Sequence, residues 1–201
     1  MLDSAIQQIL KPVLNRIARG LVRAGIGANA LTFIGFAIGM AAAVAIVFQH
    51  FMAGLVLLLL SRLMDGLDGA VARLTHPTDR GGFLDITLDF LFYASMPLAF
   101  ALTNPAQNAL PAAVLLASFM GTASSFLAFA IVAAQRGLAS TELPDKSFYF
   151  LGGLTEATET IAAFVAMCLW PQWFAPIAYG FAALCAITTA LRIGWGWQRF
   201  R

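Results

Sequence analysis

Apolar residues run along this chain in long blocks with short polar interruptions, and the length of the blocks sets the fold class. Six stretches, at about 30–50, 52–74, 82–102, 109–135, 149–170 and 173–195, each come near the roughly 20 residues that an α-helix needs to cross a bilayer. The second and third carry acidic residues at one end, and the fifth is interrupted by Glu156 and Glu159. Ahead of the first span, Ile6, Ile9, Leu10, Val13, Leu14, Ile17 and Leu21 recur at helical spacing, with Lys11, Arg16, Arg19 and Arg23 on other faces. That pattern suits an amphipathic helix at an anionic cytoplasmic surface, or one packed against the spans. Pro12 predicts that the regular helix begins or kinks there. The basic part is long and no compact apolar core with a small-residue cleavage site follows it, so a cleaved signal peptide is not expected. The expected fold is one all-α membrane domain over 1–201, with six transmembrane helices over 30–195 and an N-terminal amphipathic interfacial helix over 1–25.

Composition agrees with the pattern. The chain is 60% hydrophobic and 11% charged, against roughly 25% charged in an average soluble domain. A net charge of +2 is too small to attract nucleic acid. Cys168 and Cys185 sit in apolar surroundings without metal-ligand spacing or a disulfide framework, so they are expected to be packing residues.

The basic residues fall on alternate connections. The turns near His50, Asn104–Asn108 and Pro171–Gln172 contain no Lys or Arg. Lys11, Arg16, Arg19 and Arg23 precede the first span, Arg80 lies between the second and third, Arg136 and Lys146 between the fourth and fifth, and Arg199 and Arg201 at the end. The positive-inside rule then places both termini in the cytoplasm. Span two runs inward and span three outward, so Asp65, Asp68, Asp85 and Asp89 come level on the cytoplasmic side. Trp170 and Trp173 at one boundary, and Trp195 and Trp197 at the other, read as interfacial anchors.

Carboxylates at membrane depth are costly and persist beside a partner such as a cation. Asp65 and Asp68 are three apart, and Asp85 and Asp89 four apart, so each pair shares one helical face, with Gly81 a turn before Asp85. Two antiparallel helices bearing such pairs can gather four carboxylates about one point. Hard oxygen donors in that number suit a pair of divalent cations, Mg²⁺ or Mn²⁺, which commonly share their shell with substrate phosphates. Gly66, Gly69, Ala70 and Ala72 remove bulk beside the acids, and Arg73 offers a forked cation for phosphate. The bland alternative is a polar seam in which Arg62 and Arg73 neutralise two of the acids; it explains neither the excess of carboxylates nor the small residues.

The spacing Asp65-x-x-Asp68-Gly69-x-x-Ala72-Arg73, then seven residues, then Gly81-x-x-x-Asp85-x-x-x-Asp89 resembles the signature of the CDP-alcohol phosphatidyltransferase family. Asn29 and Thr32 resemble an Asn-x-x-Thr element found at the start of the first span in that family. The stretch from Lys146-Ser-Phe-Tyr to Gly153-Leu-Thr-Glu156 resembles one of its bacterial branches. The resemblance implies that Asp65, Asp68 and Asp85 ligate two metal ions, with Asp89 near the second and acting as general base toward the acceptor hydroxyl. It implies that Gly69, Ala72 and Gly81 make room for cytidine, that Arg73, Asn29 and Thr32 belong to the nucleotide site, and that the protein is a homodimer in a bacterial inner membrane. The implied reaction attacks the β-phosphoryl group of a CDP-linked donor and releases CMP without a covalent enzyme intermediate.

The resemblance implies CDP-diacylglycerol as donor over a soluble CDP-alcohol with diacylglycerol as acceptor, because relatives of the second kind usually have longer chains with more spans than these 201 residues. For the small alcohol acceptor, Arg136, Lys146 and Arg192 suggest a phosphate, as in relatives using glycerol 3-phosphate or inositol phosphate, with simple positive-inside anchoring as the alternative; glycerol 3-phosphate is the named expectation. Glu156 and Glu159 suggest instead hydroxyl or ammonium groups of an unphosphorylated polyol or amino alcohol; the alternative for them is pairing with Arg192 or Arg62. Two other classes are weaker. A divalent-cation transporter would need an acid path through the membrane, and no acidic or basic side chain lies outward of Arg62 in span two or of Asp89 in span three. An inactive scaffold would not need all the signature positions intact.

Overall fold

The computed structural model describes residues 2–137 and 155–200, and no strand occurs among them. Seven α-helices follow in order: α1 Leu2–Arg23, α2 Ala28–Val47, α3 Phe51–Leu74, α4 Asp79–Thr103, α5 Pro105–Gln135, α6 Ala157–Leu169 and α7 Phe174–Arg199, with a 3₁₀ turn at Pro171–Trp173 before α7. Helices keep every backbone hydrogen bond inside the segment, which is what chain in hydrocarbon requires. Among the described residues, four segments are long and apolar enough to cross a membrane: α2, α4, α5 and the turn with α7. Helix α3 has 24 residues, but Arg62, Asp65 and Asp68 break its apolar run.

Helix α1 continues through Pro12 instead of beginning there. Pro12 is exposed, so the hydrogen bond that its ring removes is lost on an open face. Leu14, Leu21 and Val22 of α1 pack with Ala18 against Leu67, Ala70 and Val71 of α3 and Leu31 of α2. Leu10, Val13 and Ile17 on another face stay exposed. The chain then reverses at Gly25, whose φ of 76° closes the α1 terminus, with the Ile26 amide donating to the Leu21 carbonyl at 3.0 Å. A similar turn at Gln49 (φ 63°) joins α2 to α3 as an antiparallel pair.

The main core joins the far halves of the long helices. Phe92, Met96 and Phe100 of α4 meet Phe164 and Met167 of α6 and Phe174, Phe181 and Cys185 of α7. Phe100 stacks between Phe51 (5.9 Å) and Phe174 (4.9 Å). Cys168 and Cys185 are buried free thiols in this packing, as their surroundings in the sequence suggested.

The fifth apolar stretch, expected over 149–170, contains a helix of 13 residues starting at Ala157; residues 149–154 lie outside the described part. Glu156 and Glu159 therefore stand at the N-cap and in the first turn of α6. Each caps the helix: the Glu156 side chain accepts from the amide of Glu159, and the Glu159 carboxylate accepts from the Glu156 amide at 3.1 Å. The preceding residue ties this end to α7, with the Thr155 amide and hydroxyl both directed at the Thr188 hydroxyl, at 3.2 and 3.0 Å.

Candidate active site

The acidic residues converge because α3 and α4 are antiparallel neighbours joined by a short loop. Asp65 and Asp68 stand on successive turns toward the C-terminus of α3, and Asp85 and Asp89 on the opening turns of α4. The start of α4 is fixed by Thr78, whose hydroxyl accepts from the Gly81 amide at 3.0 Å. One carboxylate oxygen from each of Asp65, Asp68 and Asp85 lies within 4.8 Å of the others. A cavity opens over them, lined by Thr32, Gly35 and Phe36 of α2, Arg62 of α3, and Leu88 and Asp89 of α4.

The donor chemistry fits a hard divalent cation. Asp68 is 5% exposed, and its Oδ2 is buried with no hydrogen-bond partner among the described residues. A buried carboxylate oxygen left in that state costs free energy unless a cation completes it.

Asp89 is placed differently from the other three. Its Oδ1 accepts from Arg62 Nη1 at 2.7 Å, while the same nitrogen is 3.6 Å from Asp65 Oδ1. The polar-seam alternative is thus partly realised, with Arg62 and not Arg73 as the cation. Arg62 is held in turn by the Phe92 ring, 3.8 Å from its guanidinium carbon, and its Nη2 donates to the Ser61 hydroxyl at 3.3 Å.

Helix α2 reaches this site through two glycines. A Cβ on Gly35 would lie 2.9 Å from Met64 Cβ, and one on Gly39 would lie 2.6 Å from Phe92 Cδ2 and 2.9 Å from Ser61 Oγ. The space left by Gly35 lets the Ser61 hydroxyl donate to its carbonyl at 2.7 Å. Gly35-x-x-x-Gly39 is thus the small-residue seam on which α2 meets α3 and α4. Its four-residue spacing inside an apolar run was the signal available in the sequence, and Arg62, Ser61 and Phe92 join the site through it.

Of the other signature positions, Asn29, Gly69, Ala72, Arg73 and Gly81 do not line the cavity, whereas Thr32 does. Thr32 lines it beside Asp68. Asn29 faces Gly81, where an added Cβ would lie 3.2 Å from Asn29 Oδ1 and 3.1 Å from Thr78 Oγ1. Ala72 is half-buried on α3, and Arg73 is exposed, with Nη1 3.3 Å from where a Cβ on Gly69 would stand. Gly66 faces Leu14 of α1 and not the acids.

Arg136, Glu156, Glu159 and Arg192, acceptor candidates among the described residues, do not line this cavity. Arg136 Nη2 donates to the Phe200 carbonyl at 2.7 Å, closing the end of α7, and Arg192 Nη1 donates to the Thr122 carbonyl at 3.0 Å. Arg192 also interacts electrostatically with Glu156, the pairing expected if the glutamates are structural. Lys146 lies outside the described residues. With these two arginines engaged on backbone, the expectation of glycerol 3-phosphate is left without support.

The model of the CDP-alcohol phosphatidyltransferase family matches residues 26–192, a range that holds the whole acidic signature. The chain belongs to this family. It is 51% identical over 197 residues to the inner membrane protein YnjF of Escherichia coli, covering 98% of this chain and 96% of that protein. It is 39% identical over 100 residues to the archaetidylinositol phosphate synthase of Pyrococcus horikoshii, covering 49% of this chain and 53% of that protein. In fold it is similar to the phosphatidylinositol phosphate synthase PgsA1 of Mycobacterium tuberculosis with CDP-DAG bound. The TM-score is 0.74 at 21% identity, covering 92% of this chain and 94% of that one. A structure of the same enzyme in complex with manganese and citrate matches with a TM-score of 0.71 at 22% identity, covering 92% and 88%.

Proposed function

We propose that this chain is a metal-dependent transferase of a bacterial inner membrane, moving a phosphatidyl group from CDP-diacylglycerol to the hydroxyl of a small alcohol and releasing CMP. The observation that carries the reading is the meeting of Asp65, Asp68 and Asp85 within 4.8 Å, in a cavity that Asp89 also lines. Family membership supports the reaction type. The CDP-DAG complex and the manganese complex of the fold neighbour support the donor and the ion, and the E. coli relative supports the membrane.

In this reading the domain spans the membrane six times, with α1 at the cytoplasmic surface and both termini and the site on the cytoplasmic side. Asp65, Asp68 and Asp85 would hold two divalent cations, Mg²⁺ or Mn²⁺, with Asp89 near the second. Bound there, the ions would polarise the pyrophosphate and offset charge on the departing nucleotide. Asp89 takes the proton of the acceptor hydroxyl. The acceptor oxygen forms its bond to the β-phosphorus as the bond from that phosphorus to the bridging oxygen of CMP breaks. Gly69, Ala72 and Gly81 leave space for cytidine, and Arg73, Asn29 and Thr32 hold the nucleotide. All the acids come from one chain, so the chemistry needs no second subunit.

The test is CMP release by purified protein given CDP-diacylglycerol, Mg²⁺ or Mn²⁺, and an acceptor panel. The panel includes an inositol phosphate, because two of the similar proteins are named for inositol phosphate lipids. It also includes glycerol 3-phosphate, unphosphorylated polyols and amino alcohols. The reading expects CMP with at least one acceptor and none after chelation. CMP formed only from a soluble CDP-alcohol with diacylglycerol would reverse the donor assignment.

A further inference from the structure

We infer that Arg62 is a positioning residue: it holds Asp89 apart from the other three aspartates, so that one carboxylate of the four is reserved for the acceptor while the rest bind metal. This rests on the transferase reading above and adds a residue outside the aspartate signature.

Four acids at one depth would not sort themselves. With equal freedom, all four would turn toward the same cations, and none would be left at a fixed angle to a hydroxyl. The Arg62 guanidinium breaks the symmetry, with Nη1 2.7 Å from Asp89 Oδ1 but 3.6 Å from Asp65 Oδ1. Its own place is fixed by two groups. Phe92 lies under its guanidinium carbon at 3.8 Å, Ser61 Oγ accepts from Nη2 at 3.3 Å, and Ser61 is itself anchored on the Gly35 carbonyl at 2.7 Å. The side chain is 10% exposed, so the fork has little freedom to swing away. A planar cation suits this task because its orientation transfers to the carboxylate it binds.

A fixed positive charge this close to Asp65 also opposes divalent ions. Arg62 therefore trades metal affinity for an oriented Asp89, and its removal should move the two properties in opposite directions. A residue that merely filled space would not produce that signature.

The experiment measures three quantities on purified full-length protein in lipid nanodiscs: kcat and donor KM from CMP release, Mn²⁺ affinity by electron paramagnetic resonance, and thermal midpoint. Arg62→Met should lower kcat by about tenfold or more through lost orientation, with donor KM within about twofold. Its Mn²⁺ affinity should tighten by about tenfold, since a nearby like charge is gone. Arg62→Lys, which keeps a cation but not the fork, should fall between wild type and Arg62→Met in kcat and carries the test if Arg62→Met does not fold. In an Asp89→Asn background, Arg62→Met should cost less than about twofold more, because the residue it positions is already gone. Wild-type kcat in both Arg62 variants, fully multiplicative losses with Asp89→Asn, or unchanged or weaker Mn²⁺ binding in Arg62→Met would each overturn the assignment. Wild-type protein that releases no CMP would instead remove the transferase reading, while the Mn²⁺ titration would still report whether Arg62 opposes the ions.

Discussion

Glu156 and Glu159 cap α6 reciprocally, each carboxylate accepting from the other residue's backbone amide, at 3.1 Å for the Glu156 amide. Two acids that looked like a binding site inside a span are satisfied by the first turn of a helix, where anionic groups also oppose the positive end of the dipole. Glu159→Ala should therefore destabilise the protein by about 1 kcal/mol, as loss of a helix cap does. Glu159→Gln, which can still accept from the amide, should behave nearly as wild type. Thermal unfolding and an acceptor panel check this together. A changed acceptor preference at wild-type stability would return the pair to the acceptor site.

The aspartates should separate by role. Asp65→Asn, Asp68→Asn and Asp85→Asn should each weaken divalent-ion binding and lower kcat by on the order of a hundredfold or more, since the charge-stabilising ions lose a ligand. Asp89→Asn should lose a comparable factor, on the order of 10²–10⁴ for a missing general base, with nucleotide affinity nearly kept. Isothermal titration with Mn²⁺ and with CMP distinguishes the two patterns. Equal losses of turnover and nucleotide affinity in Asp89→Asn would make it chiefly a ligand.

Glycine substitutions should differ sharply by position. At Gly39 a new Cβ would stand 2.6 Å from Phe92 and 2.9 Å from the Ser61 hydroxyl, the two groups that hold Arg62. Gly39→Ala should cost about 1–3 kcal/mol by overpacking and depress turnover as well. At Gly69 the nearest atom is the end of the exposed Arg73 side chain at 3.3 Å, which can move aside, so Gly69→Ala should fold normally. Any defect in that variant should appear in donor KM. Thermal midpoints and donor KM of the two variants decide the contrast.

Orientation follows from the turns that lack Lys and Arg. Cysteines introduced at Asn104 or Gln172 should label from outside intact cells, and one at Thr78 only after permeabilisation. The opposite pattern would put the aspartates on the face away from cytoplasmic nucleotides.

What could be read from the sequence was what depends on local spacing. The limits of α3 and α4 and the shared faces of Asp65 with Asp68 and of Asp85 with Asp89 follow from hydropathy and helical period. The Arg62–Asp89 pair bridges two helices 27 residues apart, and only the approach of α2, α3 and α4 selects it over pairing with Arg73. The Gly35-x-x-x-Gly39 seam was visible but read as ordinary apolar span. Glu156 and Glu159 read as an interruption of the fifth stretch because hydropathy does not report where a helix starts, although three-residue spacing of two acceptors is also the spacing of a cap. Pro12 does not mark the start of α1, since an exposed helix face tolerates one missing hydrogen bond.

The most direct measurement is CMP release from CDP-diacylglycerol by the purified wild-type protein and by Asp68→Asn, each with Mn²⁺ and again with chelator, across the acceptor panel. The account predicts metal-dependent CMP release by wild type with at least one alcohol, and none above background from a folded Asp68→Asn protein. CMP release by wild type that survives chelation, or by Asp68→Asn at the wild-type rate, would contradict it.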